Sequence, residues 1–272
     1  MMKRRDFLAT SLVVSSVAAG ATLDADALAA TTNRQTDIKP EYYELRLYHL
    51  RRGAKQKMAD DFFGKVTLPA MKRAGVGPVG FFNVMIGPDS PTLYMLITHK
   101  SMESFATAAA RVSADAEYRK EGANFLSAPA TDPTYVRAES SLMIAFPGMP
   151  KLEVPAAAAG NKPRLFELRI YESHNKAANK KKIEMFDIGE TAIFRRTGLQ
   201  PVFFGETLIG SKLPNLTYML TFPDMATRDK NWSAFVADPE WKKLSATPGF
   251  TDPEIVSNIS SVFLRPTSYS EI

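Results

Sequence analysis

The hexapeptides Tyr43-Glu44-Leu45-Arg46-Leu47-Tyr48 and Phe166-Glu167-Leu168-Arg169-Ile170-Tyr171 are one pattern, YELRLY and FELRIY, written twice in one chain 123 positions apart. Each alternates with period two, and each is rich in aromatic and branched side chains, which is the signature of a strand with two unlike faces. One face carries Tyr43, Leu45 and Leu47, and the other carries Glu44, Arg46 and Tyr48. A repeated strand predicts a repeated unit, and the flanking sequence supports this. At the same offset Gly75, Pro78, Val79, Phe81 and Gly87 match Gly198, Pro201, Val202, Phe204 and Gly210. One inserted residue then takes Tyr94-Met95-Leu96 to Tyr218-Met219-Leu220. Further on, Asp115, Glu117, Tyr118 and Lys120 match Asp238, Glu240, Trp241 and Lys243. Thr131-Asp132-Pro133 matches Thr251-Asp252-Pro253, and Ser140-Ser141 matches Ser260-Ser261.

Each unit has the same coarse plan. In the first, residues 42–50 form a strand and residues 54–74 a helix with Met58, Phe62, Val66 and Ala70 at helical spacing, ending near Gly75. Residues 79–87 and 92–98 are two strands joined by a Gly-Pro-Asp-Ser-Pro turn, a hairpin signal. Helical pieces follow over 101–112 and 114–125, and a last strand covers 135–146. Strand, helix, strand, strand, helix, strand is the ferredoxin-like order, an antiparallel sheet with helices on one face. The fold class expected is therefore α+β, with two tandem ferredoxin-like units closing sheet on sheet into a pseudo-dimeric α+β barrel. The boundaries are 41–146 for the first unit, 147–163 for a Pro-, Ala- and Gly-rich linker, and 164–266 for the second. In this reading the Tyr43-Leu45-Leu47 face meets the helices, and the Glu44-Arg46-Tyr48 face, with Phe81 and Met85, turns toward the other unit.

The 272 residues are 45% hydrophobic and 10% aromatic, enough for a sizeable core. The 34 basic residues outnumber the 29 acidic ones by only five, and they form no stripe of the kind nucleic-acid binders carry. The run Lys180-Lys181-Lys182 is expected on a solvated helix face. Cysteine is absent, which excludes disulfides and thiolate chemistry and suits an oxidising compartment. Residues 1–29 read as an export signal: a basic start, a modestly apolar stretch from Leu8 to Leu23, and Ala27-Leu28-Ala29 before a polar segment. Arg4-Arg5 followed by Asp6, Phe7 and Leu8 resembles the twin-arginine motif, with Lys3 departing from its usual Ser or Thr. The expectation is a soluble periplasmic or secreted protein beginning near Ala30, engaged transiently by the twin-arginine export machinery and without stable membrane insertion.

The repeated ELRxY, the helix ending at a glycine, the Pro-Val and Phe-rich strand after it, and the Trp- or Tyr-containing segment after the second helix resemble the NIPSNAP family. That resemblance covers residues 41–146 and 164–265. It implies membership of the dimeric α+β barrel group, whose members include cofactor-free monooxygenases, isomerases and haem enzymes, so it does not specify a reaction.

For chemistry, the expected polar set is Glu44, Arg46, Tyr48, Glu167, Arg169 and Tyr171, with the four charges approaching one another across the pseudo-two-fold axis. They either pair to fix how the sheets register or form the floor of a pocket, with Arg as an anion holder, Glu as a base and Tyr as a donor. Asn83 and Glu206 occupy equivalent positions and break the symmetry, which hints at one asymmetric pocket. Of the three histidines, His49 and His174 follow the two first strands at a barrel rim, and His99 ends the third strand. They are expected to be surface groups rather than metal ligands, and no spacing points to a metal or cofactor. The leading functional expectation is a small apolar or aromatic molecule held between the two sheets. The alternative is a cofactor-free monooxygenase or isomerase using Arg46 or Arg169 with a carboxylate or His49. No residues stand out as a catalytic set.

Overall fold

The computed structural model describes residues 38–160 and 162–272. The export signal expected over residues 1–29 lies outside the described residues. The first unit runs β1 (Tyr42–Leu50), α1 (Ala54–Phe62), a π-helical turn (Phe63–Thr67), α2 (Leu68–Arg73), β2 (Val79–Ile86) and β3 (Thr92–His99). It continues through α3 (Met102–Ala114), α4 (Ala116–Glu121), α5 (Ala123–Leu126) and β4 (Tyr135–Ala145). The second unit runs β5 (Leu165–Glu172), α6 (Lys176–Met185), a π-helical turn (Phe186–Glu190), α7 (Thr191–Arg196), β6 (Gln200–Ile209) and β7 (Asn215–Phe222). It ends with α8 (Met225–Ala237), α9 (Pro239–Ser245), α10 (Asp252–Ile255) and β8 (Asn258–Pro266). A short 3-10 turn, Ala156–Gly160, lies in the connection.

The eight strands close into one antiparallel barrel in the order β1-β3-β2-β8-β5-β7-β6-β4. Each unit contributes four adjacent strands, and the units meet at two seams, β2 with β8 and β4 with β6. Closure removes every sheet edge. This is the α+β pseudo-dimeric barrel that the repeated strand predicts. Each long first helix is interrupted by its π turn, a feature that the 3.6-residue periodicity of 54–74 does not reveal. Gly75 (φ 67) and Gly198 (φ 85) close the two helices in the left-handed conformation that glycine adopts without penalty.

The register corrects the sequence alignment of the repeats. Arg46 lies opposite Met95 and Arg169 opposite Tyr218, so the offset of 123 continues through β3 with no inserted residue. Tyr94 is equivalent to Thr217, and the Tyr94-to-Tyr218 match is a coincidence of composition. Likewise Ser140, opposite Arg46, is equivalent to Ser261, opposite Arg169.

The faces are the reverse of the expectation. One apolar cluster draws Tyr43 and Leu45 from β1, Phe82 from β2, Leu96 from β3, Met143 from β4, Phe166 and Leu168 from β5, Phe203 from β6, Met219 from β7 and Leu264 from β8. A cluster fed by all eight strands and by no helix is the barrel lumen. The halves touch there through Tyr43 on Phe203 (ring centroids 5.0 Å apart) and Phe82 on Phe166 (4.8 Å). The Glu-Arg-Tyr faces turn outward, beneath each unit's own helices: Tyr48 packs with the helical core of the first unit and Tyr171 with that of the second. The physical reason is that the lumen is ringed by strands and has no side chains to spare for a charge, whereas the layer under the helices offers polar partners from helix and rim.

Candidate active site in the first half

The outward face of β1 holds Glu44, Arg46 and Tyr48, and the same face of β3 holds Met95, Ile97 and His99. Helix α3 is started by Ser101, whose hydroxyl accepts from the Ser104 amide (3.1 Å), and lays Phe105, Ala108 and Val112 over these strands, with the exposed Ala109 at the rim of the space beneath. The π turn and α2 add Phe63, Thr67 and Met71. Between sheet and helices a cavity of about 130 Å³ remains, with Arg46, Tyr48, Thr67, His99 and Tyr118 among its lining groups and Phe63, Met95, Ala109 and Val112 among its apolar ones.

The polar wall is ordered. Arg46 grips Glu44 with two hydrogen bonds, Nε to Oε1 (2.5 Å) and Nη2 to Oε2 (3.0 Å), and the Ser140 hydroxyl donates to Oε1 (2.7 Å). His99 Nε2 stands 3.6 Å from Glu44 Oε2. Burial would raise the Glu44 carboxyl, but the nearby His99 ring, the hydrogen bonds from Arg46 and Ser140 and the Arg46 charge outweigh it and hold the group at about 2. Burial likewise works against the Arg46 charge, and Glu44 more than restores it. His99 is 1% exposed, and neither of its ring nitrogens makes a hydrogen bond. Thr67 Oγ1 is also buried and unpartnered. Buried polar atoms without partners are uncommon, and here two such side chains line one cavity.

The equivalent space in the second half is filled. At the offset of 123, Ala109 is replaced by Trp232, Met95 by Tyr218, Met71 by Phe194, Val112 by Phe235, Thr67 by Glu190 and His99 by Phe222. Glu167 is fully buried and saturated: it accepts from Arg169 Nη1 (2.7 Å), Arg228 Nε (2.9 Å) and Nη2 (2.8 Å), and Trp232 Nε1 (2.9 Å). Arg169 also donates to the Tyr171 hydroxyl (3.1 Å), which accepts from Tyr218 (3.0 Å). Burial alone would raise the Glu167 carboxyl, and the arginines and the indole bring it below its ordinary value. The expected solvated run includes Lys182, which is in fact buried against Glu190 (2.8 Å) beneath Tyr171, Phe186 and Trp241.

Several expectations are therefore corrected. The two Glu-Arg pairs do not approach each other across the axis, because each closes within its own half. Glu44, Arg46 and Tyr48 border or line a cavity, whereas Glu167, Arg169 and Tyr171 form a closed network. Asn83 is exposed and Glu206 half-buried, paired with Ile144 on the outside of the barrel, so neither points inward. His49 is not at the cavity and not a surface residue: it is buried at the barrel end, with Nε2 2.9 Å from Glu139 Oε1 and Nδ1 3.3 Å from the Thr92 hydroxyl. His99, expected at the surface, is the residue that sequence reasoning undervalued. The available signal was the contrast His99 against Phe222, one of several exchanges that leave the first half smaller and more polar. Among the described residues no group of three or more His, Asp or Glu side chains is placed to hold a metal ion.

Residues 43–146 and 166–271 each match the NIPSNAP family. Among solved structures, the chain is similar to a candidate monooxygenase of Fusobacterium nucleatum at 9% identity and a TM-score of 0.55, covering 84% of this chain and 93% of that one. It is similar to a candidate monooxygenase of Lactobacillus acidophilus at 8% identity and a TM-score of 0.51, covering 84% and 94%. A NIPSNAP-like domain protein of Burkholderia xenovorans matches at 21% identity and a TM-score of 0.36, covering 39% of this chain and 88% of that one. No curated protein matches the chain. The likeness to the two monooxygenase candidates is one of fold.

Proposed function

The chain belongs to the NIPSNAP family, and from that premise and the geometry of its first half we propose that it binds one small, largely apolar ring molecule between sheet and helices of that half. The observation that carries this reading is the difference between two copies of one site: the second is filled by its own side chains, and the first is not. A cavity of about 150 Å³ lined by aliphatic and aromatic groups takes a benzene-sized guest, and the volume here is about 130 Å³. The lumen, where the sequence placed the ligand, is packed with side chains from all eight strands. Localisation beyond the inner membrane through the twin-arginine pathway belongs to the same proposal and is supported by residues 1–29 alone.

The test is calorimetric titration of toluene into the protein and into Ala109→Trp, which introduces the residue the second half carries. The proposal expects one-to-one binding that Ala109→Trp abolishes while circular dichroism is unchanged. Equal binding by both proteins, or none by either, would refute it.

One observation favours a second reading, a cofactor-free monooxygenase or isomerase. His99 is buried at the cavity wall with both nitrogens free and a carboxylate behind it, an arrangement that can accept a proton from a bound hydroxyl or enol while Arg46 faces the resulting anion. In that reading the base is His99 rather than His49, and the anion holder is Arg46 rather than Arg169, because neither His49 nor Arg169 lines the cavity. Turnover of a hydroxylated aromatic, measured as oxygen uptake or product formation and lost in His99→Phe, is the observation that would establish it.

A further inference from the structure

The second half shows what the first half is shaped to receive, because Trp232 fills there the place left over Ala109. Its indole makes two kinds of contact. The ring lies under the Arg169 guanidinium, 4.7 Å from Cζ to centroid, and Nε1 donates to the Glu167 carboxylate at 2.9 Å. Both receiving groups have counterparts in the first half. Arg46 stands in the place of Arg169 with its guanidinium fixed by Glu44, so a flat face for an aromatic ring is already set. On the acceptor side, His99 approaches the Glu44 carboxylate, the counterpart of the carboxylate that Trp232 engages. An anionic carboxylate behind Nε2 favours the tautomer protonated there, which leaves Nδ1, buried and unpartnered, as an acceptor.

The charge balance narrows the class further. Glu167 has two arginines, Arg169 and Arg228, whereas Glu44 has Arg46 and Ser140, and the position of Arg228 is taken by Phe105. The first cavity therefore offers no uncommitted cation for a carboxylated guest, since its one arginine is held bidentately by Glu44. Resting on the reading of this cavity as a ligand site, we infer that its occupant is a neutral aromatic bearing an N–H donor, of the indole or pyrrole class, stacked on Arg46 and donating to His99. Trp232 is then a covalently supplied analogue of the guest.

The experiment is calorimetric titration of indole, toluene and indole-3-carboxylate into the wild-type protein, His99→Phe and Ala109→Trp, each first checked for an unchanged unfolding midpoint. The inference expects indole to bind at least tenfold more tightly than toluene and indole-3-carboxylate at least tenfold more weakly than indole. It expects His99→Phe to remove the indole preference while leaving toluene binding within twofold, and Ala109→Trp to abolish all three. If toluene binds as well as indole, or His99→Phe leaves the preference intact, the donor class is wrong and the cavity remains a binding site for apolar rings. If none of the three binds, or Ala109→Trp binds them unchanged, the site reading itself falls and this inference with it.

Discussion

Replacing Trp232 with alanine should open in the closed half the space that Ala109 leaves in the first, at a predictable cost. The indole stacks edge-on against Phe194 (5.7 Å between centroids) and Phe235 (5.5 Å), lies beneath Arg169 and Arg228, and donates to a fully buried carboxylate. Truncating a large aromatic costs about 3–5 kcal/mol when it is fully buried, and Trp232, being partly buried, belongs at the low end of that range. The charge-assisted hydrogen bond is part of that loss rather than an addition to it, because Glu167 keeps both arginines. A value of about 3 kcal/mol lowers the unfolding midpoint of a domain this size by roughly 6–12 °C. The vacated space lies over the same Arg-Glu pair, so indole should refill it. At 100 times its dissociation constant, a ligand specific for the folded state restores about 2.7 kcal/mol. Urea and thermal unfolding of wild type and Trp232→Ala, with and without indole, read both quantities. A loss below about 1 kcal/mol, or a loss that indole does not diminish, would refute the argument that Trp232 occupies a ligand-shaped site.

Three further outcomes are expected. Glu44 has its carboxyl at about 2 in the folded protein against an ordinary 4.5. Its contribution to stability is therefore full above pH 4.5 and is lost as the pH falls toward 2; the gap corresponds to about 3 kcal/mol. Urea unfolding of Glu44→Gln from pH 7 to 3 should show a flatter decline than wild type, and parallel curves would contradict the assignment. Lys182→Ala leaves Glu190 buried without its cation and should cost about 3–5 kcal/mol, whereas Lys182→Ala with Glu190→Thr, which restores the first half's Ala59 and Thr67, should recover most of it in chemical denaturation. Changing Arg4 and Arg5 together to lysine should retain the protein in the cytoplasm on fractionation; undiminished export would defeat the twin-arginine reading.

The architecture could be read from the sequence because it rests on repetition. A strand copied with its helix, hairpin and turns leaves two bare sheet faces that only mutual closure buries. What alternation could not supply is which face goes inward. Tyr43-Leu45-Leu47 and Glu44-Arg46-Tyr48 are equally periodic, and covering a sheet with helices suggests that the more apolar face belongs to them. In a closed barrel both faces are buried, and the lumen is the more demanding of the two. The charged face went to the layer where Ser140, Arg228 and Trp232 could reach it. The site residues were half visible: Glu44, Arg46 and Tyr48 border or line the cavity, but Glu167, Arg169 and Tyr171 do not. The difference lies in helix residues that never touch the hexapeptide in sequence, Ala109 against Trp232 above all. The misplaced insertion, which set Tyr94 beside Tyr218, hid the exchange of Met95 for Tyr218 that helps to keep the first cavity open.

The central claim is that one of two homologous sites is open and the other closed by its own side chains. Xenon enters apolar cavities of about this size, and one wall of this one is apolar, formed by Phe63, Met95, Ala109 and Val112, so diffraction from xenon-pressurised crystals, with xenon located by anomalous scattering, tests it directly. The account predicts a single peak in the first half, bounded by Arg46, Met95, Ala109 and His99, and none beside Trp232. Xenon in both halves, or in the second half alone, or none in the first, would contradict it.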